Sequence, residues 1–98
     1  MAESFRERRE LRDRFIRAVY DLRDPKTGSA MASAIMQRVG LDSENLDDEG
    51  RYAEIARYFD EIGYIWGEAG GYSSVAMSAL GIKYVEVEDD LRREGGRA

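Results

Sequence analysis

The segment that decides the fold is Arg57–Glu86, which reads RYFDEIGYIWGEAGGYSSVAMSALGIKYVE. Its first residues belong to a helix that ends at Gly63, because glycine readily adopts the positive φ of a helix C-terminus. Two short apolar runs, residues 64–66 and 74–77, predict β-strands, and the glycine-rich stretch between them predicts a hairpin tip. Ser78 is a suitable N-cap for a following helix. The segment therefore predicts a helix, a β-hairpin and a second helix.

Apolar residues at helical spacing predict three helices in all before the hairpin. The first begins near Ser4, an N-cap residue with capping-box spacing, and ends before Pro25. The second covers residues 29–39 with Ser29 as its N-cap, and the third starts between residues 45 and 48 and ends at residue 61. The buried faces predicted for these helices and for the last one are Leu11, Phe15, Ala18, Val19 and Leu22; Met31, Ile35 and Val39; Tyr52, Ile55, Phe59 and Ile62; and Leu80, Tyr84, Val87 and Leu91.

The composition indicates a small folded protein and excludes several kinds of site. The 98 residues suffice for one domain, and 43% of them are hydrophobic, as in folded rather than disordered chains. Cysteine and histidine are both absent, which removes thiolate chemistry, the commonest general base and the commonest transition-metal ligand. We therefore expect no enzyme activity, no catalytic residue, no metal and no cofactor. The amino terminus lacks an apolar signal core and no apolar run could span a bilayer, so we expect a cytoplasmic protein without membrane contact.

The order of elements resembles that of the small bacterial and archaeal winged helix-turn-helix proteins. The resemblance depends on two stretches, Arg57–Ile65 at the end of the third helix and Val75–Val85 at the start of the last one, and it covers about residues 29–86. It implies an α+β, mainly α fold with three helices, a two-stranded β-hairpin wing and a C-terminal helix. We expect one such domain over residues 1–98, with its core at about 5–93 and a flexible tail at 94–98.

The resemblance also implies a function, that of a DNA-binding transcriptional regulator acting as a homodimer. In winged-helix proteins the third helix enters the major groove and the wing lies along the DNA backbone. The nucleic-acid-binding candidates carried over to this sequence are Arg51, Ala53, Glu54, Arg57, Tyr72, Ser73 and Ser74. The candidates for the dimer interface are Phe5, Ile16, Tyr20 and Leu91. For Phe5, Ile16 and Tyr20, an equally good interpretation is that they extend the core sideways.

The charge distribution favours a second hypothesis. The net charge is −5, and residues 41–63 alone hold eight acidic and two basic side chains. Three consecutive acids, Asp47–Glu49, would face phosphates if the third helix entered DNA. The alternative is an acidic winged-helix module that binds a basic protein partner and no nucleic acid. A continuous positive face of Arg51, Arg57 and the first-helix arginines would favour DNA, whereas acids lying between them would favour a protein partner.

Overall fold

The chain forms a mainly helical α+β fold in a computed structural model that describes residues 4–95. Within that range, four α-helices accompany one three-stranded antiparallel sheet. In chain order the elements are α1 (Phe5–Leu22), β1 (Ser29–Met31), α2 (Ala32–Val39), α3 (Leu46–Glu61), β2 (Ile65–Gly67), a 3₁₀ turn (Glu68–Gly70), β3 (Ser74–Met77) and α4 (Ala79–Gly95). Helix α4 thus enters the predicted tail of residues 94–98, whose last three residues lie outside the described range.

Side-chain caps fix the starts of α1, α3 and α4 where the sequence predicts them. The Ser4 hydroxyl accepts a hydrogen bond from the backbone of α1, and Asn45 accepts two from the first turn of α3. The Ser78 hydroxyl accepts from the Gly81 N–H at 3.0 Å and donates to the Gly63 carbonyl at 2.6 Å. Gly63 has a φ of +87°. Ser78 therefore joins the end of α3 to the start of α4.

The first strand, β1, corrects two predictions at once. Ser29 begins β1 and is not a helix N-cap, and α2 begins only at Ala32. Strand β1 pairs with β3, with Ser29 opposite Ala76, while β2 pairs with the other edge of β3. The sheet order is therefore β1-β3-β2, and the sheet has three strands where two were predicted. Three residues are too few to show the alternating pattern of a strand, so only the tertiary pairing with β3 makes this segment extended.

The core lies between α1, α2, α3 and the inner face of the sheet. Phe15 is fully buried, and its ring centroid lies 5.6 Å from those of both Tyr52 and Phe59. The predicted α1 stripe is buried at Leu11, Phe15, Ala18 and Val19 and partly buried at Leu22. On the sheet, the core-facing residues are Ala30, Ile65, Val75 and Met77.

Helix α4 departs from the prediction, because its apolar stripe lies at the surface. Leu80, Val87 and Leu91 are exposed, whereas Gly81 and Val85 face the interior. A Cβ on Gly81 would lie 2.2 Å from the Tyr64 carbonyl oxygen. The side of α4 that carries Gly81 therefore packs closely against the backbone of Tyr64. This orientation turns the apolar stripe of α4 toward solvent. Ile62, predicted to be buried on α3, is likewise exposed.

Polar pairs join α4 to α1 along their shared edge. Arg92 lies 2.8 Å from Asp13, and Arg17 lies 3.5 Å from Asp89. Toward the other end of α1, the Tyr20 hydroxyl donates to a Glu86 carboxylate oxygen at 2.9 Å. Residue numbers rise along α1 as they fall along α4, so the two helices are antiparallel.

Candidate nucleic-acid interface

The surface of α3 carries the predicted nucleic-acid-binding residues of that helix. Arg51, Ala53, Glu54 and Arg57 are all exposed. The opposite side of α3 is held in the core by Tyr52, Ile55, Ala56 and Phe59. The helix is thereby fixed with these four candidate side chains directed to solvent.

A groove of about 420 Å³ lies between the amino-terminal half of α1 and α3. Arg8 and Arg12 line it from α1, and Arg51 and Arg57 line it from α3. We call this cavity the arginine groove, after these four residues. The Arg12 guanidinium carbon lies 4.6 Å from the centroid of the Tyr58 ring, a cation–π contact that holds this side chain against α3. The other groove residues are Phe5, Leu11, Glu54, Ile55, Tyr58 and Glu61.

Among the residues that the structure describes, most of the positive charge in the arginine groove is not neutralised by an ion pair. Arg51 approaches Asp48 only to 4.0 Å. Among the residues that the structure describes, no carboxylate oxygen lies within 4.0 Å of a nitrogen of Arg8, Arg12 or Arg57. These three guanidinium groups are therefore available to an external anion, in contrast to Arg17 and Arg92 on the α1–α4 edge.

Acidic side chains also reach this surface. Asp47, Glu54 and Glu61 are seven residues apart, so they follow one line along α3. At 100° per residue, Arg51 lies on one side of that line and Arg57 on the other. The four arginines thus share one groove, yet an acidic stripe runs between the two arginines of α3. The surface therefore combines a shared positive groove, which favours DNA, with intervening acids, which favour a protein partner.

The hairpin tip offers fewer free polar groups than the sequence suggests. The Tyr72 hydroxyl donates to Asp60 at 2.9 Å, and its carbonyl accepts from the Tyr52 hydroxyl at 2.6 Å. The hydrogen bond to Asp60 raises the pKa of Tyr72, as does burial. The Ser74 hydroxyl donates weakly to Glu68 at 3.4 Å. Of the three tip candidates, only Ser73 has an exposed side chain.

The four predicted dimer residues lie in different surroundings. Phe5 and Leu91 are exposed, at 69% and 59% of their surface. Tyr20 is partly buried against the core and hydrogen-bonded to Glu86. Ile16 is only 1% exposed and packs in the core of a single chain, so its prediction as an interface residue is wrong. For Ile16 the alternative interpretation, an extension of the core, describes the structure.

Arg8 and Arg12 are not among the predicted nucleic-acid-binding residues, although a positive face shared by the first-helix arginines with Arg51 and Arg57 is the condition that favours DNA. The first-helix arginines alternate with acids, which predicts a solvated helix face. A weak signal was available, because Arg8 lies three residues before the core residue Leu11 and four before Arg12, so it shares a side of the helix with each of them. Which helix that side meets depends on tertiary packing, and the arginine groove follows from it.

Comparison with known proteins gives no match to a protein-family model, to a curated protein or to a solved structure. Within residues 4–95, no group of three acidic side chains is placed to hold a metal ion. In the same range, none of the helices combines the length and the apolar character needed to cross a bilayer.

Proposed function

We propose that this chain is a winged-helix domain that binds double-stranded DNA and acts as a transcriptional regulator. The arrangement of three helices followed by the β2–β3 hairpin, with β1 added to the far edge of β3, supports the winged-helix assignment. In that assignment α3 is the recognition helix and residues 67–74 form the wing. Because a fold alone does not determine function, the proposal depends on the site.

The observation that supports DNA binding best is the arginine groove. Arginine presents a planar fork of donors that matches phosphate oxygens. Two helices direct four such groups to one groove, and three of them have no carboxylate within 4.0 Å among the described residues. The groove borders the exposed side of α3, where Ala53 and Arg57 lie. We propose that Arg8, Arg12 and Arg51 contact phosphates and that Arg57 contacts phosphate or a base edge.

The acidic stripe of α3 weakens the interaction with DNA, whereas the phosphate contacts of the arginines make that interaction strongly dependent on salt. Glu54 and Glu61 line the same groove as the arginines, so they repel phosphate at short range. Salt screens exposed charges, and counterions displaced from DNA contribute roughly 0.9 to the salt exponent for every phosphate contact. We therefore expect binding to be measurable at about 50 mM salt and much weaker at about 200 mM.

The experiment is fluorescence anisotropy with a labelled random-sequence duplex at about 50 mM salt. Arg57→Gln and Arg8→Gln are the test variants. Arg93→Gln is the matched control, because it removes the same charge from α4, where Arg93 pairs with Asp89. We expect the test variants to lose about fivefold or more in affinity and the control less than about twofold. Absence of wild-type binding, or an equal loss in the control, would contradict the proposal.

A second candidate function is binding of a basic protein partner, and the acidic stripe favours it. Asp47, Glu54 and Glu61 form a line that a lysine-rich segment could follow, and no lysine or arginine occurs in residues 67–74. The Glu54→Gln, Glu61→Gln double variant separates the two functions. If α3 binds DNA, the variant binds duplex more tightly than the wild type does. If α3 binds a basic partner, the variant binds a labelled lysine-rich peptide more weakly, and wild-type binding to duplex is absent.

A further inference from the structure

The arginine groove has an apolar floor that contacts with DNA phosphates would leave unused. Leu11 of α1 and Ile55 of α3 line the groove and are buried, so they lie at its bottom. The rings of Phe5 and Tyr58 line it as well, and both rings are exposed. The groove therefore offers a concave apolar surface in addition to its cationic groups.

The groove has the dimensions of a site for a small molecule. Its volume of about 420 Å³ lies within the range of about 300–1,000 Å³ that is usual for small-ligand pockets. Such pockets combine apolar walls with a few convergent polar groups. Here the polar groups are guanidinium groups from two helices, so a ligand in the groove would contact both α1 and α3.

The charge of the groove favours a ligand with two negative charges. Among the residues that the structure describes, four arginines and two glutamates, Glu54 and Glu61, line the groove, so its formal charge is +2, four positive less two negative. A phosphate monoester carries a charge of about −1.5 to −2 at pH 7. A carboxylate, or one phosphodiester of a nucleic acid, carries a single negative charge. The monoester therefore comes closest to neutralising the groove.

A terminal phosphate also suits the arrangement of the donors. It presents three acceptor oxygens, and each can accept hydrogen bonds from a guanidinium group. In the described part of the chain, Arg8, Arg12 and Arg57 have no carboxylate oxygen within 4.0 Å, so they need not leave an ion pair to bind it. In the free protein these like charges repel one another across the groove, and a bound anion would remove that repulsion.

The apolar part of the groove indicates the rest of the ligand. The Arg12 guanidinium carbon lies 4.6 Å from the centroid of the Tyr58 ring, so a cation and an aromatic face lie side by side. Flat aromatic groups stack both on aromatic rings and on guanidinium planes. A flat ring placed over Leu11 and Ile55 would also add a hydrophobic contribution that an inorganic anion lacks.

We infer that the arginine groove is a binding site for a small phosphate monoester that carries an aromatic ring, as nucleoside monophosphates and aryl phosphates do. The phosphate contacts the arginines, and the ring lies on the floor formed by Leu11 and Ile55, beside Tyr58. The inference goes beyond the proposed DNA binding and does not depend on it, although both use the same arginines.

NMR titration of the full chain tests this inference, because the backbone amides that shift also locate the site. The probes are phenyl phosphate, adenosine monophosphate, inorganic phosphate and adenosine. We expect both aromatic phosphates to shift amides of α1 and α3 at the groove and to bind at least about tenfold more tightly than inorganic phosphate, because only they bury a ring. Adenosine should bind about tenfold or more weakly than its monophosphate.

Charge variants show whether the arginines hold the phosphate. Arg8→Gln and Arg57→Gln should weaken the binding of phenyl phosphate by about fivefold or more. Arg93→Gln is the matched control and should weaken it by less than about twofold, because Arg93 lies outside the groove and pairs with Asp89. The inference is overturned if inorganic phosphate binds as tightly as phenyl phosphate, if the shifts lie away from the groove, or if the control loses as much affinity as the test variants.

The two aromatic phosphates distinguish two sources of the ligand. Tighter binding of adenosine monophosphate indicates a nucleotide, whereas equal or tighter binding of phenyl phosphate indicates a smaller aryl phosphate, and both results support the inference.

Duplex binding by the wild type separates this inference from the proposed function. If phenyl phosphate binds in the groove and duplex does not bind, only the proposed function fails. If duplex binds and phenyl phosphate at about 10 mM shifts no amide at the groove, only this inference fails.

Discussion

Helices α1 and α4 have similar lengths, 18 and 17 residues, and both carry an apolar stripe at helical spacing, yet only the stripe of α1 is buried. The α1 stripe packs against α2, α3 and the sheet, with Phe15 at its centre. On α4, Val85 is buried while Leu80, Val87 and Leu91 face solvent. Periodicity thus identifies residues that share a face, but a neighbouring element decides whether that face is covered.

The largest effect is expected when one residue of each stripe is truncated to alanine. Phe15→Ala removes a fully buried ring that contacts Tyr52 and Phe59, so we expect a loss of about 3–5 kcal/mol in the free energy of unfolding. Leu91→Ala, measured at a protein concentration too low for self-association, should change it by less than about 0.5 kcal/mol. Urea denaturation of both variants provides the values. Similar losses in the two variants would show that the α4 stripe is packed as tightly as that of α1.

Gly81→Ala tests the close approach that orients α4. The new Cβ would lie 2.2 Å from a backbone oxygen of Tyr64, so the helix must move away, at a cost of about 1–3 kcal/mol. Gly50→Ala, in α3, is the matched control. Nothing lies within 4 Å of its new Cβ, and the higher helix propensity of alanine should stabilise the protein by up to about 1 kcal/mol. A stabilising Gly81→Ala substitution would refute this account of α4.

High pH should destabilise the protein because the hydroxyl of Tyr52 ionises less readily in the folded chain than in the unfolded one. Tyr52 is a core residue of α3 that packs against Phe15. Burial raises the pKa of Tyr52 above its usual value of 10.0, so the unfolded chain releases this proton at a lower pH than the folded one. Its contribution is complete below about pH 10 and is lost above it, at about 1.4 kcal/mol per pH unit. Tyr52→Phe should reduce the slope of the free energy of unfolding against pH by the equivalent of about one proton. Urea denaturation at several pH values measures this slope. An unchanged slope would mean that Tyr52 ionises freely in the folded state.

A smaller effect is expected at Ser78, which links the end of α3 to the start of α4. Ser78→Ala removes both the N-cap of α4 and the hydrogen bond to the Gly63 carbonyl, and we expect a loss of about 1 kcal/mol. Ser33→Ala is a suitable control, because Ser33 is exposed in the first turn of α2 and should change stability by less than about 0.5 kcal/mol. Thermal unfolding measures both, and equal shifts in Tm would argue against the cap.

Much of the fold follows from local sequence, and the exceptions have physical causes. Ser4, Asn45 and Ser78 fix helix starts because their side chains satisfy nearby backbone N–H groups, which is a short-range effect. Strand β1 was not predicted because its extended shape depends on β3, more than forty residues away. The outward turn of α4 depends on a contact between Gly81 and Tyr64, which hydrophobic spacing does not reveal.

The candidate site likewise combines features that the local sequence predicts with features that only the tertiary fold determines. Exposure of Arg51 and Arg57 follows from the periodicity of α3, because the core residues Tyr52, Ile55 and Phe59 define its other side. The groove that adds Arg8 and Arg12 requires the packing of α1 on α3. The hydrogen bond from the Tyr72 hydroxyl to Asp60 likewise requires the tertiary fold. Residue types and helical faces are local properties, whereas their combination into one site is not.

The most direct test of the central claim, that the arginine groove binds duplex DNA, is the salt dependence of wild-type affinity. With three or four phosphate contacts per chain, the logarithm of the binding constant should fall against the logarithm of salt concentration with a slope of about −2.7 to −3.6. Arg57→Gln should reduce the magnitude of that slope by about 0.9 if Arg57 contacts a phosphate, and leave it unchanged, with weaker binding, if Arg57 contacts a base edge. No binding at about 50 mM salt, or a slope near zero, would contradict the claim.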